Sequence, residues 1–191
     1  MRRLLAIILL AAARAAAGDA PTDAACLLAR GGTALASIVV PDDATPVERT
    51  AAEELRVHLD LATGARFAVT NEAAAPDGAR ILVGNTAALR ALLPGFDART
   101  LAEDGIVLKT AGDRLFLTGH PRRGPLYAAY ALLEDEVGVR WWTADETFVP
   151  RRPTLPMPAL DVRYEPALRF RETYYLGLFD ARFRARLRGN F

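Results

Sequence analysis

Apolar and polar positions switch between two periods along the chain, and each switch marks an element. Residues 35–40 (LASIVV) are apolar and β-branched up to Pro41-Asp42-Asp43, the pattern of a buried strand. Thr45-Pro46-Val47-Glu48 then sets a capping threonine before a first-turn proline and a glutamate three residues on, which is a capping box. Val47, Ala51, Leu55 and Leu59 recur at four-residue spacing as far as Thr63-Gly64, so a helix is predicted over 46–63. Residues 67–70 and 79–83 are strand candidates, and 85–93 a short helix closed by Pro94-Gly95. Segments 105–110 and 114–118 flank Ala111-Gly112-Asp113 and predict a hairpin. A second helix is predicted over 125–137, entered at Gly124 and left at Gly138, with short extended segments at 140–142 and 147–149. Prolines 150, 153, 156 and 158 make a semi-rigid connector, and 169–175 (RFRETYY) resumes a strand-like pattern. The order strand, helix, strands, helix, strands, without an internal repeat, predicts a mixed α/β layer.

The first residues change the picture of the termini. Met1-Arg2-Arg3 is basic, 4–13 is an unbroken apolar run, and Ala15-Ala16-Ala17 offers small residues for cleavage, the plan of a secretory signal peptide. Ten apolar residues followed by Arg14 are too few to cross about 30 Å of hydrocarbon. Residues 1–17 are therefore expected to be a signal peptide, leaving a secreted or periplasmic chain with no membrane association. Cys26 is the single cysteine, so no internal disulfide forms, and Asp23 stands where a lipoprotein site needs an apolar residue. The 24 basic and 23 acidic side chains give a net charge of +1 and are spread along the chain. Nucleic-acid binders concentrate positive charge, so no nucleic-acid partner is expected. Lysine occurs only at Lys109 while arginine and alanine abound, a bias of base composition rather than of chemistry.

Candidate chemistry is sparse. The only histidines are His58 and His120, with no HExxH pair, so no metal site is expected. His58, among Arg56 and Asp60, is assigned to a solvated helix face. Ser37 is the only serine and lies in an apolar strand, and neither Gly31-Gly32 nor 119–124 has a phosphate-binding spacing, so no cofactor is expected. Hydrolysis of a glycoside needs two carboxyl groups facing each other across a sugar, roughly 5–10 Å apart. Glu53-Glu54 and Glu134-Asp135-Glu136 are neighbours on helices, where side chains diverge, and are expected as solvated faces. No catalytic residue is assigned. Adjacent strand residues point to opposite sides, so of Trp141 and Trp142 one indole enters the core while the other faces a partner or a sugar. Arg123 either binds a carboxylate, such as that of an acidic sugar, or salt-bridges within the fold. With His120 and Glu172, these three are the candidate substrate-binding residues.

Several segments carry a resemblance over about 130 residues. They are Ile38-Val39-Val40-Pro41, Ala51-Ala52-Glu53-Glu54-Leu55, Ile81-Leu82-Val83-Gly84, the stretch 104–110 and the stretch 115–119. The most distinctive are 123–134 (RGPLYAAYALLE) and 137–142 (VGVRWW). In order and spacing they resemble the N-terminal domain of family 67 glycoside hydrolases, the α-glucuronidases, and of related secreted proteins with Thr147-Phe148-Val149-Pro150 and Arg171-Glu172-like features. His120, where many relatives have glycine, and Pro125 depart from the pattern. The resemblance implies an α+β or α/β fold: a small mixed sheet with two main helices, like the domain that precedes the barrel in β-hexosaminidases. It implies an accessory domain over 33–150, a proline-rich connector over 151–165, and over 166–191 the beginning of a truncated (β/α)8 barrel, the missing remainder being the main partner. Residues from about 165 on are then expected to be poorly packed. The implied function is a non-catalytic N-terminal domain of a secreted hydrolase of O-glycosidic bonds in polysaccharide, α-glucuronidase-like and connected with xylan degradation. The alternative is a free-standing carbohydrate-binding or interaction domain using Trp141 or Trp142.

Overall fold

A computed structural model describes residues 25–171 and 175–190; the expected signal segment and Glu172 lie outside the described residues. The chain opens with β1 (Cys26–Arg30) and β2 (Thr33–Ala34), then β3 (Ala36–Val40), α1 (Pro46–Thr63), β4 (Val69–Asn71), β5 (Ala79–Val83) and α2 (Ala87–Leu92). After a 3-10 turn come β6 (Ile106–Ala111), β7 (Arg114–Gly119), α3 (Gly124–Ala131), β8 (Arg140–Trp141) and β9 (Thr147–Phe148). The last elements are β10 (Leu155–Met157), β11 (Asp161–Tyr164) and α4 (Ala181–Arg186).

The main sheet has the order β11-β6-β7-β5-β3-β4. Its four strands β7, β5, β3 and β4 run parallel, and β6 and β11 add antiparallel pairs at the other side. Strand alternation fills both faces. Ile38, Val40, Ile81, Val83, Leu115 and Leu117 join the core beneath α1 and α3, while Val39, Leu82 and Phe116 point the opposite way and meet Leu89 of α2. The architecture is thus the mixed α+β layer with two main helices that the pattern predicts.

Helix α1 starts and stops where its sequence signals stand. Thr45 Oγ1 accepts from the Glu48 N–H at 3.3 Å, and Glu48 Oε2 accepts from the Thr45 N–H at 2.8 Å. Glu48 Oε1 also accepts from the Asn85 N–H at 3.0 Å, tying the helix start to the end of β5. At the other end Gly64 takes a left-handed conformation, φ 75°, and its N–H bonds to the Asp60 carbonyl.

Three glycines of the resembling segments meet at one crossing. A Cβ on Gly119 would lie 2.2 Å from the Gly105 carbonyl oxygen, and one on Gly124 would lie 2.4 Å from the Gly119 carbonyl carbon. The end of β7, the approach to β6 and the start of α3 therefore touch backbone to backbone. Helix α3 is shorter than the predicted 125–137: from Leu132 to Val137 it widens into a π-helical turn that ends at Gly138, φ 91°. The widened turn still buries Leu132, Leu133 and Val137.

Several expectations are corrected by the structure. The proline-rich connector returns to the domain, because β10 pairs with β1 and β11 with β6. Pro156 is tolerated there because β10 is an edge strand in the sheet β10-β1-β2. The tail from 175 to 190 is docked rather than loose, with Leu178, Phe183 and Arg186 all buried. His58 is not on a solvated face: it is 2% exposed, because position 58 falls on the same inward stripe as Ala51, Leu55 and Ala62. Glu54 is buried beside it. The strand-like 169–175 is not a strand at its described positions. Among the described residues no helix is long and apolar enough to cross a membrane.

The glycine crossing makes a sharp prediction. Gly124→Ala forces backbone to shift and is expected to destabilise the fold by about 2–4 kcal/mol in denaturant unfolding. Gly112→Ala, at φ 58° with nothing within 4 Å of its Cβ, is expected to cost only about 1–2 kcal/mol. Equal losses would remove close approach as the reason for Gly124.

Candidate functional site

The elements bring the chemistry-bearing residues into two buried clusters, each centred on one carboxylate. Inward positions 54 and 58 of α1 place Glu54 and His58 one turn apart against β8 and the tail. Trp141 of β8 is buried, and its indole N–H donates to His58 Nε2 at 3.2 Å. The other imidazole nitrogen, Nδ1, lies 2.7 Å from the Glu54 carbonyl oxygen. A single tautomer satisfies both bonds: Nδ1 carries the proton and donates, Nε2 accepts. Burial lowers the His58 pKa from its ordinary 6.5, against the pull of the Glu54 backbone bond and charge, so the ring is neutral. His58 and Tyr130 each stand edge-on to the Trp141 ring, at 5.5 and 5.4 Å between centroids.

The Glu54 carboxylate is claimed from the tail. Oε1 accepts from Arg182 Nε and Nη2 at 2.8 and 2.6 Å, and Oε2 from Arg186 Nε and Nη2, both at 3.2 Å. Arg186 also stands 6.0 Å over the Trp141 ring. Burial raises the Tyr130 hydroxyl far above its ordinary range, so it stays protonated.

The second cluster is centred on Asp104, just before β6. Arg123 Nε donates to its Oδ1, while Arg171 Nη2 and Asn190 Nδ2 donate to Oδ2 at 2.6 and 2.8 Å. Burial alone would raise the Asp104 carboxyl, but the hydrogen bonds and charges of Arg123 and Arg171 hold it below the usual carboxylate range. Tyr127 Oη donates to the Gly189 carbonyl at 2.6 Å, and Arg188 Nη2 to Glu134 at 2.7 Å. The tail is therefore fastened at four points.

The candidate residues fall apart in space and in role. Trp141 is committed to the core, and Trp142 on the opposite side of the strand is 59% exposed. Arg123 is engaged within the fold by Asp104 and Glu103. His120 sits in the turn before α3, where its Nδ1 accepts from the Arg122 N–H at 3.3 Å. The buried carboxylates Glu48, Glu54 and Asp104 each have backbone or arginine donors, so these three offer no opposed acid and base. The Glu54 and Asp104 clusters are not legible in the sequence because the arginines that reach them from the tail lie 67 to 132 residues away. The available signal was position 58 on the inward stripe of α1. Among the described residues no group of three or more histidine, cysteine or carboxylate side chains could hold a metal ion. Cys26 is a buried free thiol whose pKa is raised by burial and by Asp113.

The glycine crossing, strands β3 to β7 and helices α1 to α3 lie within residues 27–132, and the family model described as glycosyl hydrolase family 67 N-terminus matches that stretch, more than half of the 191 residues. The chain belongs to this family. The family 67 N-terminal domain shares its fold with part of a family GH115 4-O-methyl-α-glucuronidase with specificity for decorated arabinogalactans. The TM-score is 0.56 at 17% identity, over 76% of this chain. A GH20 β-N-acetylhexosaminidase from Streptomyces coelicolor A3(2) also matches, with TM-score 0.44 and 16% identity over 71% of the chain. A Streptomyces plicatus β-hexosaminidase matches with TM-score 0.41 and 16% identity, again over 71%. The chain spans 19%, 23% and 22% of those three proteins respectively. No curated protein matches it.

The two clusters set how the domain responds to acid. Above the ordinary His58 value of 6.5 the ring is neutral folded or unfolded, and its contribution is complete. Below it the unfolded chain takes up a proton that the folded ring resists, so stability falls until the lowered folded pKa is reached. The Asp104 contribution is present above the ordinary 3.8 and is lost as pH falls through its lowered folded value. His58→Gln is expected to flatten the slope of Tm against pH just below 6.5 and to leave the more acidic loss in place. An unchanged slope just below 6.5 would show that another group titrates there.

Proposed function

We propose that this family 67 N-terminal domain serves as the non-catalytic leading domain of a larger, secreted or periplasmic glycoside hydrolase that cleaves O-glycosidic bonds in polysaccharide, in the manner of an α-glucuronidase. The observation that carries this reading is a set of exposed apolar side chains leading into and along the docked tail. Leu168, Phe170, Tyr175, Leu176 and Phe179 are all more than half exposed. Five large exposed apolar side chains within twelve residues suit a protein–protein contact, and a (β/α)8 catalytic domain is the partner this reading proposes. In this reading the tail is the joint: its arginines face Glu54 and Asp104, and its apolar side chains face the catalytic partner. The basic start and apolar run of residues 1–13 support export, and xylan-type chains bearing uronic acids are the proposed substrate.

A specific observation favours a second role, carbohydrate binding on the β8–β9 hairpin. Arg140 pairs with Phe148 and Trp141 with Thr147, which puts Trp142 and Phe148 on the same face, both exposed. Sugar rings stack on such aromatic platforms.

The leading-domain reading predicts that the 191-residue chain alone hydrolyses neither aryl α-glucuronides nor aryl β-xylosides. Reproducible turnover abolished by Glu172→Gln would overturn it. It also predicts that the coding DNA downstream of the Phe191 codon continues in frame as a strand–helix series carrying the opposed carboxylates.

A further inference from the structure

The parallel part of the sheet opens a crevice away from the tail. From β3 the chain crosses through α1 to β4 on one side, whereas from β5 it passes α2 on its way to β7 on the other. Helix α1 lies on the main-core face and α2 on the opposite face. The adjacent strands β3 and β5 thus send their connections in opposite directions. In open α/β sheets, ligands settle outside the carboxyl ends of the strands where the order reverses in this way. A crevice of about 630 Å³ lies there, lined by Pro41 after β3, Asn85 after β5 and Thr118 at the end of β7.

Thr118 is the telling residue. It is 1% exposed and lines the crevice, yet its hydroxyl has no hydrogen-bond partner among the described residues. Among the described residues the sealed side-chain oxygen without a partner is Ser37 Oγ, so the unpartnered Thr118 hydroxyl opens to the crevice, where an entering polar group can bond to it. Asp43 and Asn85, also on the wall, present side chains without hydrogen-bond partners among the described residues. Both arginines on the wall already hold acceptors: Arg99 is bonded to both Asp97 oxygens and Arg90 to the Asn85 carbonyl. Phe96 and Pro125 supply apolar surface. Every lining residue precedes 126, so the docked tail leaves the crevice open.

We infer that this crevice binds an uncharged saccharide, with Asp43 and Asn85 taking ring hydroxyls, Thr118 pairing with one more, and Phe96 and Pro125 meeting the C–H face. The arrangement selects against anions, because its cations are occupied while the Asp43 carboxylate is not. This binding does not depend on the domain's service to a hydrolase, nor on the aromatic face of the β8–β9 hairpin.

The test is a titration of the ¹⁵N-labelled 191-residue chain with xylotetraose and cellotetraose, with tetragalacturonate as the charged comparator. Saturable amide shifts are expected at Asn85, Phe96, Thr118 and Gly119, with a Kd on the order of 1 mM for at least one uncharged sugar and weaker binding of tetragalacturonate. Thr118→Val keeps the shape and is expected to weaken binding about tenfold. Asn85→Ala, a change at an exposed side chain, gives a second reading should the valine variant not fold. Uncharged sugars that shift only Trp142 and Phe148, or shift nothing, would overturn the assignment. So would tetragalacturonate binding as tightly as the uncharged sugars, or undiminished affinity in the variants. A chain that proves catalytic on its own would defeat the leading-domain reading and leave the crevice shifts in place.

Discussion

A carboxylate buried between a helix and the segment packed on it must find positive charge or remain exposed to water, and Glu54 is that carboxylate here. Removing one partner of a buried pair leaves an uncompensated charge and costs about 3–5 kcal/mol. Glu54 is 3% exposed, and its oxygens are taken up by Arg182 and Arg186 from α4. Arg182 is largely exposed while Arg186 is nearly buried, so Arg186 carries most of the constraint. One turn along α1, His58 fixes the indole of Trp141, and Tyr130 of α3 packs on the same ring. One inward face of α1 thus sets the places of β8, α3 and the tail together.

Asp104 repeats the arrangement near the start of α3, with Arg123 holding the start of that helix and Arg171 and Asn190 holding the tail. The backbone crossing at Gly105, Gly119 and Gly124 is what brings Asp104 within reach of Arg123. The ionic chemistry of the domain is thereby spent on architecture. What stays open to a partner is apolar on the tail, aromatic on the β8–β9 hairpin, and polar but weakly committed in the crevice above β3, β5 and β7. A family 67 N-terminal domain built this way offers surfaces and geometry, which is what the proposed leading-domain role requires of it.

The central α/β layer was legible in the sequence because its signals are local. The Thr45–Glu48 capping box and Gly64 bound α1 at the residues where the helix begins and ends, and the turn at Gly112 lies between β6 and β7. Strands β1, β10 and β11 were not legible. They are short edge or near-edge strands whose pairing joins Cys26 to Met157 and Ile106 to Tyr164, and nothing local specifies such distant partners. Prolines that read as a spacer are admitted at an edge, where a missing N–H breaks no ladder. The seat of the tail is illegible for a related reason: its arginines look like a solvated basic stretch until Glu54 and Asp104 are placed beneath them. Thr118 carried no signal at all, since an unpaired hydroxyl exists only once the strand ends have been brought together.

Hydrogen exchange of α4 against α1, in the wild-type chain and in Glu54→Gln, tests the Glu54 clamp most directly. If the clamp seats the tail, the amides of residues 184–187 are protected in the wild type to a degree comparable with the second half of α1. In Glu54→Gln those amides lose protection by more than tenfold, about 1.4 kcal/mol, while the α1 amides keep most of theirs. Fast exchange of 184–187 in the wild type, or protection unchanged by the substitution, would contradict the clamp and return the tail to the loosely packed segment that the sequence alone implied.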